Sequence, residues 1–135
     1  MGNGQVGVIP RRGDEGRIRS YRDLRVWQEG MSLAVICYAL TKPFPKHELF
    51  GMTSQIRRAV SSVPANIAEG YGRDSKGDYI QFLRISQGSL KEVETHLILC
   101  TRVSLLTESE IQTTLEHCDR LGKMLHRLIR SLQSS

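Results

Sequence analysis

From Tyr21 onward, apolar residues recur at intervals of three and four, the period of a helix that buries one face. Leu24, Trp27, Met31, Ala34, Val35 and Tyr38 form the first such stripe, with Asp23 placed to cap it. Pro43 and Pro45 end this helix by Thr41 or Lys42. A second helix is predicted from near His47, with Phe50 or Met52, Ile56, Ala59, Val60, Val63 and Ile67 on one face. Pro64 falls inside that run and is expected to kink or divide it, because proline lacks an N–H and its ring clashes with the preceding turn. Gly70-Tyr71-Gly72 then stops it.

Ser75 and Asp78 have capping-box spacing for a third helix, whose stripe runs Tyr79, Phe82, Leu83, Ser86, Leu90, Val93, Leu97 and Cys100. The small residues Ser86, Gly88 and Ser89 predict a close helix crossing at mid-length. Thr107 and Glu110 make a clearer box, opening a fourth helix with Ile111, Leu115, Cys118, Leu121, Leu125, Leu128 and Leu132 inward. No segment alternates with period two. The pattern therefore predicts an all-α fold, an antiparallel up-down four-helix bundle over residues 21–133. Trp27, Ile56, Val60, Leu83, Leu90, Leu121 and Leu125 are expected in its core.

Residues 1–20 carry five of the twelve glycines and show no periodicity, as a flexible arm would. Gly2-Asn3-Gly4-Gln5-Val6-Gly7 spells GxGxxG. A dinucleotide site needs a strand leading into that motif, and one residue precedes Gly2, so the match is expected to be chance.

Composition narrows the picture little. The chain has 135 residues, enough for one domain, and its 6% aromatic content makes the core aliphatic. The longest apolar run, residues 33–40, is far short of the roughly 20 residues a membrane span needs. No secretory pattern opens the chain, so a cytoplasmic protein with no membrane partner is expected. Cys37, Cys100 and Cys118 lack CxxC spacing and fall on apolar stripes, where buried, reduced thiols are expected.

Candidate chemistry is thin. A di-iron bundle needs Glu-x-x-His, but Phe44, Val93, Thr114 and Lys123 stand three residues before the four histidines. His96 and Cys100, with His117 or Cys118 from the next helix, offer metal-ligand types, yet core thiols and surface imidazoles account for them more simply. No GxSxG or P-loop is present, and no thiol sits where its pKa would fall. Neither an enzyme nor a metal or cofactor is expected.

Charge says more. The net charge is +5, and fourteen of the nineteen cations are Arg, the better fork for phosphate. Arg120, Lys123, Arg127 and Arg130 are spaced three, four and three, one stripe opposite the leucines. Arg57, Arg58 and Arg73 flank the Pro64 segment. These seven are the candidate phosphate contacts. A solvated face with cations compensating the helix dipole would use the same residues, so both readings stand. No aromatics interleave them, so binding would be backbone-directed. Gln55, Arg58, Ser62, Asn66 and Glu69 lay a polar ribbon beside small residues and Pro64, which suits tight packing on a neighbouring helix or subunit.

Several blocks occur in order: Asp23-Leu24-x-Val26-Trp27-Gln28, then Thr41-Lys42-x-Phe44-Pro45-Lys46-x-Glu48-x-Phe50-Gly51, then residues 55–70. Phe82-Leu83-x-Ile85-x-x-Gly88-Ser89-Leu90-x-Glu92-x-Glu94-Thr95 follows. With these blocks the chain resembles, over residues 21–133, the four-helix-bundle proteins called 23S rRNA intervening-sequence or S23-type proteins. The resemblance implies a small basic bundle with no established enzymatic activity. A related branch, the accessory variability proteins of diversity-generating retroelements, forms pentameric barrels that bind nucleic acid and a reverse transcriptase. By resemblance, then, a ring-like homo-oligomer, a homopentamer, is expected here. The expected function is non-enzymatic binding of nucleic acid, RNA ahead of DNA. The alternative is an interaction scaffold for a polymerase or reverse transcriptase, with little nucleic-acid affinity of its own. The Gly- and Arg-containing arm departs from the family pattern.

Overall fold

The computed structural model describes residues 17–135. The arm expected over residues 1–20, with its GxGxxG, lies outside them apart from residues 17–20. Of these, Arg19 donates its backbone N–H to Asp23, and the Ile18 carbonyl accepts from the Tyr71 hydroxyl at 3.3 Å.

Four helices follow: α1 (Arg25–Thr41), α2 (Met52–Tyr71), α3 (Lys76–Arg102) and α4 (Glu108–Ser134). No strand occurs among the described residues. Each helix packs on the next in sequence, and α4 returns to α1, while the α1–α3 and α2–α4 backbones stay apart. The all-α prediction holds.

The strongest stripes behave as the sequence predicts. Ser75 caps α3, its Oγ accepting the Asp78 N–H at 3.0 Å. Thr107 and Glu110 close a full capping box on α4. Ile56, Val60, Leu83, Leu90, Leu121 and Leu125 are all fully buried. Trp27 is an exception. It sits half-buried at the core margin, edge-on to Tyr21 at 5.3 Å.

The α1 expectation holds only in part: Leu24, Trp27 and Ala34 pack at the core margin, but the rest of the stripe does not. Met31, Val35 and Tyr38 are exposed, and the buried face is Val26, Gly30, Leu33, Cys37 and Thr41. This helix is apolar on two sides, and periodicity finds stripes without ranking them. Gly30 lies on the buried side, where a Cβ would stand 3.4 Å from Cβ of Pro64, in ordinary contact with α2. Nor does Asp23 cap α1, which begins after a short 3-10 turn, Tyr21–Asp23, with Leu24 at its cap position.

Helix α2 also starts later than predicted. Lys46–Glu48 is a separate 3-10 turn, and the Glu48 carboxylate accepts the Met52 N–H at 3.0 Å. Phe50 is consequently left 91% exposed instead of packing inward. Pro64 does not divide α2, which runs unbroken through it. Its ring is buried against Gly30, and side-chain donors serve the carbonyls just before it: Asn66 Nδ2 on Ser62 O at 2.8 Å, Ser86 Oγ on Val63 O at 2.9 Å.

The close crossing predicted from small residues is between α2 and α3. Ser62 and Ser89 hydroxyls lie 2.8 Å apart. Further along, a Cβ on Gly70 would fall 2.7 Å from Cβ of Phe82. Gly70 is therefore required by packing, while Gly72 ends the helix at φ −80°, with no left-handed turn. Gly88 takes no part in the crossing, since nothing lies within 4 Å of where its Cβ would be.

Candidate nucleic-acid interface

The capping box sets the start of α4, and the burial of Ile111, Cys118, Leu121, Leu125 and Ile129 sets its rotation. The opposite side therefore carries Arg120, Lys123, Arg127 and Arg130, all exposed. Lys123 is paired with Asp119 at 3.2 Å, one helical turn before it. Among the described residues, the guanidinium groups of Arg120, Arg127 and Arg130 make no ion pair or hydrogen bond. Glu116, four residues before Arg120, does not reach it.

The other three candidate cations are engaged within the chain. Arg57 donates to Thr41 Oγ1 at 2.9 Å and to the Tyr38 carbonyl, with its guanidinium 4.4 Å above the Tyr38 ring. It ties α2 to α1. Arg58 bonds Gln55 at 3.0 Å and Glu92, tying α2 to α3. Arg73 pairs with Glu69 at 2.7 Å and covers the Phe82 ring. Because α2 and α4 are diagonal, Arg57 and Arg58 are not brought together with the α4 stripe.

The polar ribbon is likewise used inside the chain. Ser62 and Asn66 meet each other, and Ser62 meets Ser89 of α3. Pro64 is buried on Gly30, while Gln55 and Glu69 serve the neighbouring arginines Arg58 and Arg73.

Buried titratable groups complete the inventory. His117 is not a surface imidazole: it is 7% exposed, and its Nε2 lies 2.7 Å from Glu29 Oε1 on α1. His96 stands 3.4 Å from Glu92, with Nδ1 buried and unpartnered. The hydrogen bond from Arg58, aided by His96, holds the Glu92 carboxyl below its ordinary pKa, against a smaller desolvation effect. All three cysteines are free and buried. Burial pushes the Cys37 and Cys118 thiols up to about 12 and Cys100 to about 11. That is the reverse of nucleophile activation. No group of three or more His, Cys, Asp or Glu is gathered for a metal among the described residues. None of their helices is long and apolar enough to cross a membrane.

Sequence reasoning passed over two features. One is the Glu29–His117 contact, which left no local signal because its partners are far apart in the chain. The other is an open groove of about 550 Å³ between α3 and α4, beside Gly88 and Gly122. Its signal was two glycines in the middle of long helices, each costing about 0.5–1 kcal/mol relative to Ala.

The profile of the family described as 23S rRNA-intervening sequence protein matches residues 22–127. A crystal structure from Bacteroides thetaiotaomicron, described as a protein of unknown function from the S23 ribosomal protein family, is similar with a TM-score of 0.69. Identity is 26%, covering 77% of this chain and 97% of that one. No curated protein sequence matches the chain.

Proposed function

The chain belongs to the 23S rRNA-intervening sequence protein family, and we propose that it is a non-enzymatic, homo-oligomeric, nucleic-acid-binding member, preferring RNA to DNA. In this reading its helices run as an antiparallel up-down bundle in the cytoplasm, and copies of it close into a ring, a pentamer in the form the resemblance implies. The observation that carries the reading is the α4 stripe. Arg120, Arg127 and Arg130 are exposed without acidic partners, whereas Arg57, Arg58 and Arg73 are engaged by Tyr38, Glu92 and Glu69. Unpaired cations on one helix face gain most from a phosphate backbone, because each contact releases condensed counterions. A ring would multiply those contacts.

Titration of the protein against a fluorescent RNA hairpin and a matched DNA duplex, at low and moderate salt, tests this. The expected result is binding that weakens steeply with salt and is lost when Arg120, Lys123, Arg127 and Arg130 become Gln. No binding to either probe at low salt overturns it.

A second reading rests on the exposed apolar face of α1. Val35 is 67% exposed and Met31 42%, with Tyr38 beside them. Such a patch suits a protein contact, either another copy or a polymerase-type partner for which the bundle is a scaffold. RNA affinity that is weak and indifferent to the four Gln substitutions favours the scaffold. Light scattering behind a sizing column reads the self-association, and a 15 kDa species sinks the ring.

A further inference from the structure

Two long helices in contact normally fill the space between them with side chains, and α3 and α4 leave part of theirs open. The opening is a groove of about 550 Å³ beside Gly88 on α3 and Gly122 on α4. Packing does not require either glycine. Nothing lies within 4 Å of a Cβ at Gly88, and one at Gly122 would meet only Leu90 Cδ2, at an ordinary 3.6 Å. Alanine would fit both places and favour the helix more, so the empty space is not the by-product of a close crossing.

The lining has a definite chemistry. The side-chain-free backbone at Gly88 and Gly122 makes the floor, closed from beneath by Leu90, which is 1% exposed. Lys91, Lys123 and Arg127 stand around it with the His126 imidazole, against a single carboxylate, Asp119. Asp119 is held by Lys123, and Lys91 reaches Glu94 only at 3.4 Å, leaving Arg127 and His126 without partners among the described residues. A groove with an apolar floor and a cationic rim complements a group that is flat and apolar at one end and anionic at the other. Its volume falls within the roughly 300–1,000 Å³ of single-ligand sites, too small for a duplex.

We propose that this groove takes one unpaired nucleotide of a nucleic-acid strand. The base lies in the space over Gly88 and Gly122, with the Arg127 guanidinium or His126 ring available to stack on it. Its phosphate meets Lys91, Lys123 and Arg127. This rests on the nucleic-acid reading above and deepens it: the exposed stripe supplies affinity for any phosphate backbone, and the groove adds a preference for strands with an unstacked base.

The test fills the groove without touching charge. Gly88→Leu projects into open space, and the milder Gly88→Ala/Gly122→Ala pair fits the existing packing. Both variants, checked by thermal unfolding, are titrated as full chains against a fluorescent RNA hairpin with an adenosine loop and a blunt duplex of the same stem. Wild-type protein is expected to bind the looped RNA roughly tenfold tighter than the duplex, the scale of one stacked base. Gly88→Leu is expected to abolish that preference while leaving duplex affinity and salt dependence unchanged, with the alanine pair in between. Equal wild-type affinity for loop and duplex, or an undiminished preference in Gly88→Leu, overturns the groove assignment and leaves the stripe reading standing. Binding to neither probe overturns both.

Discussion

Glu29 of α1 and His117 of α4 meet at 2.7 Å, Oε1 to Nε2, and join the first helix to the last. The contact is largely enclosed, with the His117 side chain 9% exposed and that of Glu29 31%. An enclosed imidazole needs a partner for its ring nitrogen, since an unsatisfied buried polar group costs more than the bond itself contributes.

Glu29→Ala removes that partner and is expected to lower stability by about 1–3 kcal/mol. Glu29→Gln keeps an acceptor and is expected to cost less. Urea midpoints at pH 7 check the order, and an Ala variant as stable as wild type would show that the pair contributes nothing.

Two glycines on α2 and α3 are expected to respond oppositely to alanine. Gly70→Ala places a Cβ 2.7 Å from Cβ of Phe82, an atom fixed to the backbone, so α2 and α3 must separate. The expected loss is about 1–3 kcal/mol. Gly88→Ala meets nothing and is expected to gain about 0.5–1 kcal/mol of helix preference. Denaturant unfolding of the two variants reads both signs.

Ser104, after the end of α3, holds φ 66°, a left-handed conformation that costs an L-residue about 1 kcal/mol. Glycine is free of that penalty, so Ser104→Gly is expected to raise the melting temperature. A lower melting temperature would show that the serine makes a compensating contact in solution.

The three thiols are raised by burial, so folding favours their protonated form. Their stabilising contribution is complete below the unfolded thiol pKa of about 8.5 and is lost as pH climbs towards the folded values of about 11 to 12. Stability is therefore expected to fall on the alkaline side, less so in a variant with all three cysteines replaced by Ala. At pH 8 a thiol reagent is expected to label the native protein only as fast as it opens. Rapid native labelling would contradict the burial.

Glu92 has the opposite sign. The Arg58 hydrogen bond lowers its pKa, so its contribution is present above the ordinary carboxylate range and is lost as pH falls through the depressed value. Arg58→Gln is expected to lower stability at neutral and alkaline pH and to flatten the acid limb, so that the two proteins converge at low pH. An unchanged acid limb would mean that the pair is not formed in solution.

How much of this was readable in advance depended on where each residue's partner lies. The α3 and α4 boundaries are set by Ser75 and Thr107 acting on backbone three residues away, so local sequence carries them. The stripe of Arg120, Lys123, Arg127 and Arg130 follows from helical spacing once α4 is known. Arg73 has Glu69 four residues before it, but Arg57 and Arg58, which read as the same kind of residue as the stripe, have partners Tyr38 and Glu92 on other helices. No spacing rule reports such partners.

By itself, then, the sequence determined the four helices, the caps of α3 and α4, the aliphatic core and the charge on α4, because each depends on neighbours within a few turns. Tertiary structure decided which apolar side of α1 is buried, whether α2 could run through Pro64, and which cations remain open to a partner. Those outcomes turn on contacts between helices, such as Gly30 of α1 against Pro64 of α2, which no local pattern in the sequence reports.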